Sequence, residues 1–263
     1  ASVANLTSSQ IGSIATDVIK ELSSAQIEAL GTTGITALKT NQIQALDTAD
    51  IANLSYAEVG ALTTTQINAL TSAQITGLDA DDVGALQPNQ IKALQTATVA
   101  KLTSSQIQKL SSTQLSALTS AQVQALGTSG INQLKTDQIK TLGTAAINSL
   151  NVDQITNLDT SLFAQLSSTQ IGAISTATLS GLSSSRIQAF DTMGASGLTA
   201  SQIKALGSDG ITNLSGSQIG SLSTSAVNTL SSAQIRALGT DKIASLTSTQ
   251  LRALSTSAIN ALS

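Results

Sequence analysis

Leucine recurs every eight residues along almost the whole chain, with no insertion or deletion, and this spacing constrains the fold more than any other feature. The column runs from Leu6 to Leu262, and Ile14, Ile174 and Phe190 are its apolar exceptions. A second apolar column, mostly Ile or Val, stands five residues after each leucine. Eight residues of an unbroken α-helix turn through about 800°, so both columns would wind around the helix within a few repeats. One continuous helix and a heptad coiled coil are therefore excluded.

The full sequence period is sixteen residues, because two polar columns occupy alternate eight-residue repeats. Glutamine precedes the Ile column in every second repeat as far as Gln250, broken by Glu58 and Arg186, and threonine forms a column in the other repeats. The two structural columns are assigned to Gln10, Gln26, Gln42, Gln74, Gln90, Gln106, Gln122 and Gln138, and to Thr16, Thr32, Thr48, Thr64, Thr96 and Thr128. About sixteen such repeats fill residues 1–263, so we expect one continuous array without terminal capping repeats.

Each repeat carries signals for a helix start. The residue after leucine is usually Ser, Thr, Asp, Asn or Gly, the types preferred at helix N-caps. In the glutamine repeats it is often Ser or Thr with Gln three residues later, as in Thr71 and Gln74, which is a capping box. Pro88 falls at a first helical position, where proline is tolerated. In the other repeats glycine often follows leucine and suits a left-handed helix end, with the next threonine as the following cap. These glycines are Gly31, Gly127, Gly143, Gly207 and Gly239.

These signals predict an all-α solenoid of very short capped helices, with eight residues per helix and two helices, or sixteen residues, per coil. Two alternating kinds of corner would explain the doubled period. A β-solenoid is the alternative, because Thr and Ile favour strands, but Ala, Gln and Leu favour helix. Burying one Leu and one Ile contributes about 3–6 kcal/mol, against about 12 kcal/mol for ordering eight residues. No repeat is therefore expected to fold alone.

The composition excludes most site chemistries. The chain has no His, Cys or Trp, and only 10% of its residues are charged. The usual general base, thiol nucleophile and zinc ligands are missing, so we expect no enzyme, no metal site and no cofactor. A net charge of −3 argues against nucleic acid as a partner, and the frequent Ser, Thr and Gln argue against membrane insertion. No small-molecule substrate is expected. The acidic cluster of Asp79, Asp81 and Asp82 is interpreted as a solvated corner rather than a calcium site.

One repeat departs from the apolar pattern. Ala195 stands in the Ile column, where a larger residue is expected, and two oversized residues, Phe163 and Phe190, occupy apolar columns nearby. We expect Phe190 to fill the space that Ala195 leaves, so that Ala195→Ile would overpack the core.

The polar columns have a structural and a functional interpretation. The glutamine amides would either satisfy caps and corner backbone groups or form a linear array for a ligand. The threonines would either cap helices or present a flat face suited to ice. We favour the structural interpretation for both, because the capping signals recur with the same spacing.

Segments such as LTSAQITGL, LTSAQVQAL and LSSAQIRAL resemble the Ser/Thr/Ala/Gln-rich tandem tracts of large secreted surface proteins and adhesins of Gram-negative bacteria. The similarity covers the whole chain. It implies export, an extracellular or cell-surface location and a structural or adhesive role, and it carries over no functional residues.

Three functions follow as hypotheses. The first is an extracellular structural module, acting as a rigid spacer, stalk or filament-forming segment whose partner is itself, through end-to-end stacking of coils. The second is a binding module with a repeated Thr or Gln face for ice, glycan or a surface. The third is an intracellular scaffold solenoid, which the scarcity of aromatic residues disfavours.

Overall fold

The computed structural model describes residues 3–262, and every regular element in that range is helical. The chain divides into two compact units, Ala1–Leu134 and Lys135–Ser263. Each unit is an array of short helices that pack on neighbouring helices. The predicted all-α solenoid architecture is therefore confirmed, and the β-solenoid alternative is wrong.

The first unit begins with a 3-10 turn at Val3–Asn5 and continues with sixteen short α-helices. They are α1 (Ser8–Ile11), α2 (Thr16–Lys20), α3 (Ser24–Glu28), α4 (Gly31–Ala37), α5 (Thr40–Ala45), α6 (Thr48–Ala52), α7 (Tyr56–Ala61), α8 (Thr64–Ala69), α9 (Ser72–Gly77), α10 (Ala80–Ala85), α11 (Pro88–Ala93), α12 (Thr96–Val99), α13 (Ser104–Lys109), α14 (Ser112–Ala117), α15 (Ser120–Ala125) and α16 (Gly127–Ile131).

The second unit continues the same pattern. Its helices are α17 (Thr136–Ile139), α18 (Thr144–Ser149), α19 (Val152–Thr156), α20 (Thr160–Phe163), α21 (Ser168–Ala173), α22 (Thr176–Ser180), α23 (Ser184–Gln188), α24 (Thr192–Ser196), α25 (Ala200–Thr212), α26 (Gly216–Ser221), α27 (Thr224–Asn228), α28 (Ser232–Ile243), α29 (Ser248–Ala253) and α30 (Thr256–Ile259). Of these, α25 and α28 each consist of two short helices that meet at a kink.

A single repeat shows why the helices are so short. In α9, Thr71 is the N-cap in an extended conformation (φ −80°, ψ 162°), and its side chain accepts a hydrogen bond from the backbone N–H of Gln74. The side chain of Gln74 in turn accepts from the N–H of Thr71, which completes a capping box. Leu78 is extended again (φ −64°, ψ 140°) and ends the helix. Two extended residues, the leucine and the next cap, therefore form each ordinary corner.

Three helices, not two, complete one turn of each array. Within a unit each eight-residue repeat packs on the third repeat before or after it, as in α1 on α4, α4 on α7 and α7 on α10. The turn therefore contains three eight-residue repeats, or 24 residues, and the predicted two-helix coil of 16 residues is wrong. A two-helix coil would need a near reversal at every corner, whereas two extended residues bend the chain less. Most corners also share one backbone conformation, so alternating corner types do not cause the doubled sequence period.

The two apolar columns fill the interior of each unit. Ile-column residues such as Ile43, Ile75 and Ile203 are fully buried, and the leucines beside them are nearly so. The three repeats of each turn thus point their apolar residues at a shared core, which supplies the burial that one repeat lacks. Because a helix of six residues is unstable in isolation, packing on the adjacent turns holds the helical conformation.

Corners that contain a glycine with positive φ are exceptions to the ordinary corner of two extended residues, and they do not alternate with it along the chain. Gly31, Gly127, Gly207 and Gly239 have the positive φ that the sequence predicts, between 62° and 71°. The ψ values of Gly207 (−169°) and Gly239 (168°) are extended, so these two residues do not adopt the αL conformation expected at a helix end. Gly207 and Gly239 are themselves non-helical, and two short helices meet there at a kink. The prediction of a positive φ is wrong for Gly143, which has φ −65° because it is the extended N-cap of α18.

The irregular repeat packs around two aromatic rings. Phe163 and Phe190 stack with their centroids 5.1 Å apart, and both are buried. Ala195 is fully buried as well. The guanidinium carbon of Arg186 lies 5.6 Å from the Phe163 ring centroid. A single array through all 263 residues, without terminal caps, remains a prediction.

Candidate functional site

The most regular polar feature of the structure is the residue three positions after each N-cap, which we call the corner column. Gln66 shows its geometry. Its side-chain oxygen accepts a hydrogen bond from the N–H of Thr63, the cap of its own helix (2.8 Å). Its Nε2 donates to the carbonyls of Ile35 and Leu38 in the turn below (2.7 and 2.8 Å). The side chain is only 3% exposed, so one amide satisfies three buried backbone groups.

The same bridge between turns recurs in both units. Gln42, for example, donates to the carbonyls of Ile11 and Ile14 at 2.8 and 2.7 Å. Glutamines that donate in this way to the turn below are Gln42, Gln66, Gln74, Gln90, Gln106, Gln114 and Gln122 in the first unit, and Gln170, Gln202, Gln218, Gln234 and Gln250 in the second. Gln138 is buried and accepts from the N–H of Lys135 (2.8 Å). These amides face inward and offer no repeated surface to a ligand.

Two glutamines of this column are missing from the glutamine column predicted from the sequence, because they fall outside its sixteen-residue period. Gln66 and Gln114 fall in the alternate repeats, yet they donate to the turn below like the others. Together with Gln42 and Gln90 they are spaced 24 residues apart, so four glutamines stack on four successive turns of α5, α8, α11 and α14. That spacing is the sequence signal for the three-helix turn.

Other polar residues in the corner column also act as donors to the turn below. The hydroxyls of Thr98 and Thr178 donate to the carbonyls of Leu70 and Leu150 at 3.3 and 3.5 Å. Arg186, which replaces glutamine, donates from Nε to the carbonyl of Thr156 (3.0 Å), while its Nη1 is buried without a partner.

Lys242 donates from Nζ to the carbonyl of Thr212. The carbonyl oxygens below thus accept from an amide, a hydroxyl, a guanidinium or an ammonium group.

Glu58 is the residue that fits this column least well. Its Oε2 accepts from the N–H and hydroxyl of Ser55 (2.8 and 2.7 Å), as a glutamine oxygen would. Its Oε1 occupies the place of the amide nitrogen and is buried without a hydrogen-bond partner. An acceptor cannot bond to the carbonyl oxygens below, so this position lacks the bridge between turns.

The acidic cluster of Asp79, Asp81 and Asp82 lies at the start of α10. Asp79 caps α10 and accepts from the N–H of Asp82 (2.8 Å). Burial, reinforced by the neighbouring charge of Asp79, raises the pKa of Asp82 from 3.8 to about 6. Asp81 forms a salt bridge with Lys109 on the next turn, and that partner raises the pKa of Lys109. Residues 3–262 contain no group of three His, Cys, Asp or Glu placed to hold a metal ion.

The threonine column does not cap the helices. Thr48, Thr64 and Thr96 are the first helical residues, and the caps are the residues before them. Thr32 and Thr128 lie inside helices that follow a left-handed glycine, and Thr16 begins α2. These side chains are exposed or half-buried.

Within residues 3–262, no turn packs beneath the first turn of the first unit. Gln10 and Gln26 accept from their own caps, but their Nε2 atoms donate to no group among the described residues. Val18, in the same column, is 53% exposed, and Leu6, Ile14 and Leu22 are half-buried. This face, which we call the first face, presents amide donors around an apolar patch.

The last turn of the second unit presents hydrogen-bond acceptors, which complement the amide donors of the first face. Leu251 and Ile259 stand in the Ile column but are 40% and 50% exposed. A cleft of about 500 Å³ opens there, lined by residues that include Ile235, Ile243 and Leu262. No side chain in the described range donates to the carbonyls of Ile243, Leu246, Leu251 or Leu254. This face, which we call the last face, presents carbonyl acceptors around an apolar patch.

Fold and corner column together define a helical repeat protein. The family model for the ALTTAQ repeat matches residues 11–48, 43–80, 77–112, 93–128 and 216–248, which is more than half of the chain. The chain therefore belongs to the ALTTAQ repeat family. A comparison with curated proteins found no match. No helix in residues 3–262 has both the length and the apolar character needed to cross a membrane.

Proposed function

We propose that this ALTTAQ repeat chain is a non-catalytic structural module of an exported bacterial surface protein, acting as a spacer or stalk that associates end to end with a second copy. The observation that carries the proposal is the match between the first and last faces. One offers amide donors around Val18, and the other offers carbonyl acceptors around Leu251 and Ile259.

Inside each unit the same two kinds of face already pack on each other. Each interior turn places its glutamine Nε2 atoms on the carbonyls of the turn below and covers the Ile column there. A first face seated on a last face would repeat these contacts. Because the two faces differ, the contact is heterologous and can be repeated from copy to copy, as a filament requires.

The alternative of a repeated binding face receives less support. The glutamine amides form hydrogen bonds within the chain. Column threonines on the same side of a unit, such as Thr48 and Thr96, are two 24-residue turns of the array apart. The Ser- and Thr-rich surface, the low charge and the resemblance to secreted tandem tracts support an extracellular spacer.

Sedimentation velocity at increasing protein concentration tests the self-association. The wild-type chain should form oligomers that grow with concentration and appear as filaments by negative-stain electron microscopy. Leu251→Lys with Ile259→Lys should keep it monomeric, because two charges would be buried in the contact. Tyr56→Lys with Val152→Lys, which adds the same charge at exposed positions outside both faces, is the matched control. A wild-type chain that stays monomeric throughout would refute the stacking.

The location is tested separately in the cells that produce the protein. Protease added to intact cells should degrade the chain if it is displayed at the surface. Digestion only after the cells are broken would contradict an extracellular role and leave the stacking result unaffected.

A further inference from the structure

Two clefts occur where the corner column contains glycine. One lies at Gly130, has a volume of about 150 Å³ and is lined by Val99, Leu102, Ser129 and neighbours. The other lies at Gly210, has a volume of about 380 Å³ and is lined by Leu179, Leu182, Asp209 and neighbours. The two clefts have equivalent positions in their repeats, GTSGINQL and GSDGITNL.

Each cleft stands where a glutamine amide would otherwise reach the turn below. Gln202 donates to the carbonyls of residues 31 and 28 positions earlier, Ile171 and Ile174. The same offsets from Gly210 lead to Leu179 and Leu182, both in the cleft wall. No side chain in residues 3–262 donates to these two carbonyls. The cleft thus keeps the acceptors of the corner column and lacks the donor.

A side chain at Gly130 or Gly210 would crowd the leucine that precedes the corner. A Cβ on Gly210 would lie 2.9 Å from the Cβ of Leu206, and one on Gly130 would lie 3.0 Å from the Cβ of Leu126. Both contacts follow from the corners at Gly207 and Gly127, which bring the preceding leucine close.

Two cationic side chains of the corner column reach the turn below at the carbonyl 30 positions earlier, which lies between the two carbonyls that glutamine uses. At another positive-φ corner of the second unit, Gly239 is followed by Lys242, whose ammonium donates to the carbonyl of Thr212. Arg186 places a guanidinium nitrogen on the carbonyl of Thr156. Cationic N–H donors thus occupy the corner column at two positions where glutamine is absent.

We propose that the cleft at Gly210 binds an alkylammonium group, supplied by a lysine side chain of a partner or by a free amine. The carbonyl oxygens of Leu179 and Leu182 accept its N–H groups, and Asp209 supplies a negative charge at the opening. The cleft at Gly130 has Ser129 in place of Asp209 and binds the same group more weakly.

Titration of the whole chain with n-butylammonium, followed by ¹H–¹⁵N NMR, tests the proposal. The amide signals of Gly210 and Asn213 should shift saturably. Pentan-1-ol, which lacks the charge, and tetramethylammonium, which lacks N–H donors, should leave them unshifted. Equal shifts with tetramethylammonium, or shifts that never saturate, would overturn the proposal.

Reciprocal variants supply the matched control. Asp209→Ser should weaken binding at Gly210 about two- to fivefold, and Ser129→Asp should strengthen binding at Gly130 by a similar factor. Gly210→Lys, which places the residue type of Lys242 in the corner column, should abolish binding by filling the cleft. If that variant fails to fold, Asp209→Ser and Ser129→Asp still test the proposed alkylammonium site. Unchanged affinity in both variants would refute it.

Titration with a lysine-containing peptide and with the free amine distinguishes the two sources. Tighter binding of the peptide would indicate a partner side chain, and equal binding would indicate a free amine.

Discussion

Exchanging one atom type in the corner column should change stability in opposite directions at two positions. Gln66→Glu replaces the Nε2 donor with an oxygen that faces the carbonyls of Ile35 and Leu38. Two hydrogen bonds of about 1 kcal/mol each are lost, and a buried carboxylate is left beside two carbonyl oxygens. We expect the free energy of unfolding to fall by about 3 kcal/mol.

Glu58→Gln is the reverse exchange. In the turn below residue 58, the corner contains Gly31, which has a positive φ. In the turn below Gln234, the equivalent corner contains Gly207, which also has a positive φ. Gln234 donates there to the carbonyls of Ile203 (2.7 Å) and Gly207 (3.3 Å). A glutamine at position 58 has the equivalent acceptors and removes the buried, unpartnered oxygen. We expect a gain of about 1–2 kcal/mol.

Urea denaturation followed by circular dichroism measures both changes, and hydrogen exchange locates them. Amides of α8 should exchange faster in Gln66→Glu, because the bridge to the carbonyls of Ile35 and Leu38 is lost, whereas the amide of Thr63 keeps a side-chain oxygen as its acceptor. Gln44→Glu, on an exposed position of α5, is the matched control and should stay within about 0.5 kcal/mol of wild type. Equal effects of Gln66→Glu and Gln44→Glu, or a loss of stability in Glu58→Gln, would refute the bridging role.

Three further outcomes follow from the structure. Gly127→Ser should destabilise by about 1–2 kcal/mol, because φ is 66°. Gly143→Ser should stabilise by about 0.5 kcal/mol, because it supplies a cap at φ −65° and restricts the unfolded chain; thermal melts compare the two. Because the pKa of Asp82 is higher in the folded state than in the unfolded state, protonation of this carboxyl stabilises the fold. The free energy of unfolding should therefore increase by about 1–2 kcal/mol as pH falls from 7 to 4. Urea midpoints across this pH range measure the increase, which Asp82→Asn should reduce. Ala195→Ile should lower the melting temperature because the site is fully buried, and a higher one would contradict tight packing there.

Local structure can be predicted because its signals lie within one repeat. The cap at Thr71, its partner Gln74 and the helix between them follow from residue types at fixed short spacing. The number of repeats per turn cannot be predicted in this way. Every repeat buries the same columns, so the apolar pattern is identical whether two or three helices close a turn, and the backbone angle at the corner decides.

The glycine corners show the same limit. Five glycines follow leucine in equivalent positions, yet Gly143 has a negative φ while the other four of the set have a positive φ. Glycine permits both conformations, so its presence alone does not choose between them. The clefts at Gly130 and Gly210 depend on that choice and therefore do not follow from residue types alone.

The three-sided turn has a consequence for how such a sequence changes length. Losing or gaining one eight-residue segment would shift every later helix of that unit to the neighbouring side, where it meets the same leucine and isoleucine contacts. Unequal recombination between copies is thus tolerated in steps of eight residues, a smaller quantum than either the sixteen-residue sequence motif or a complete circuit of the chain.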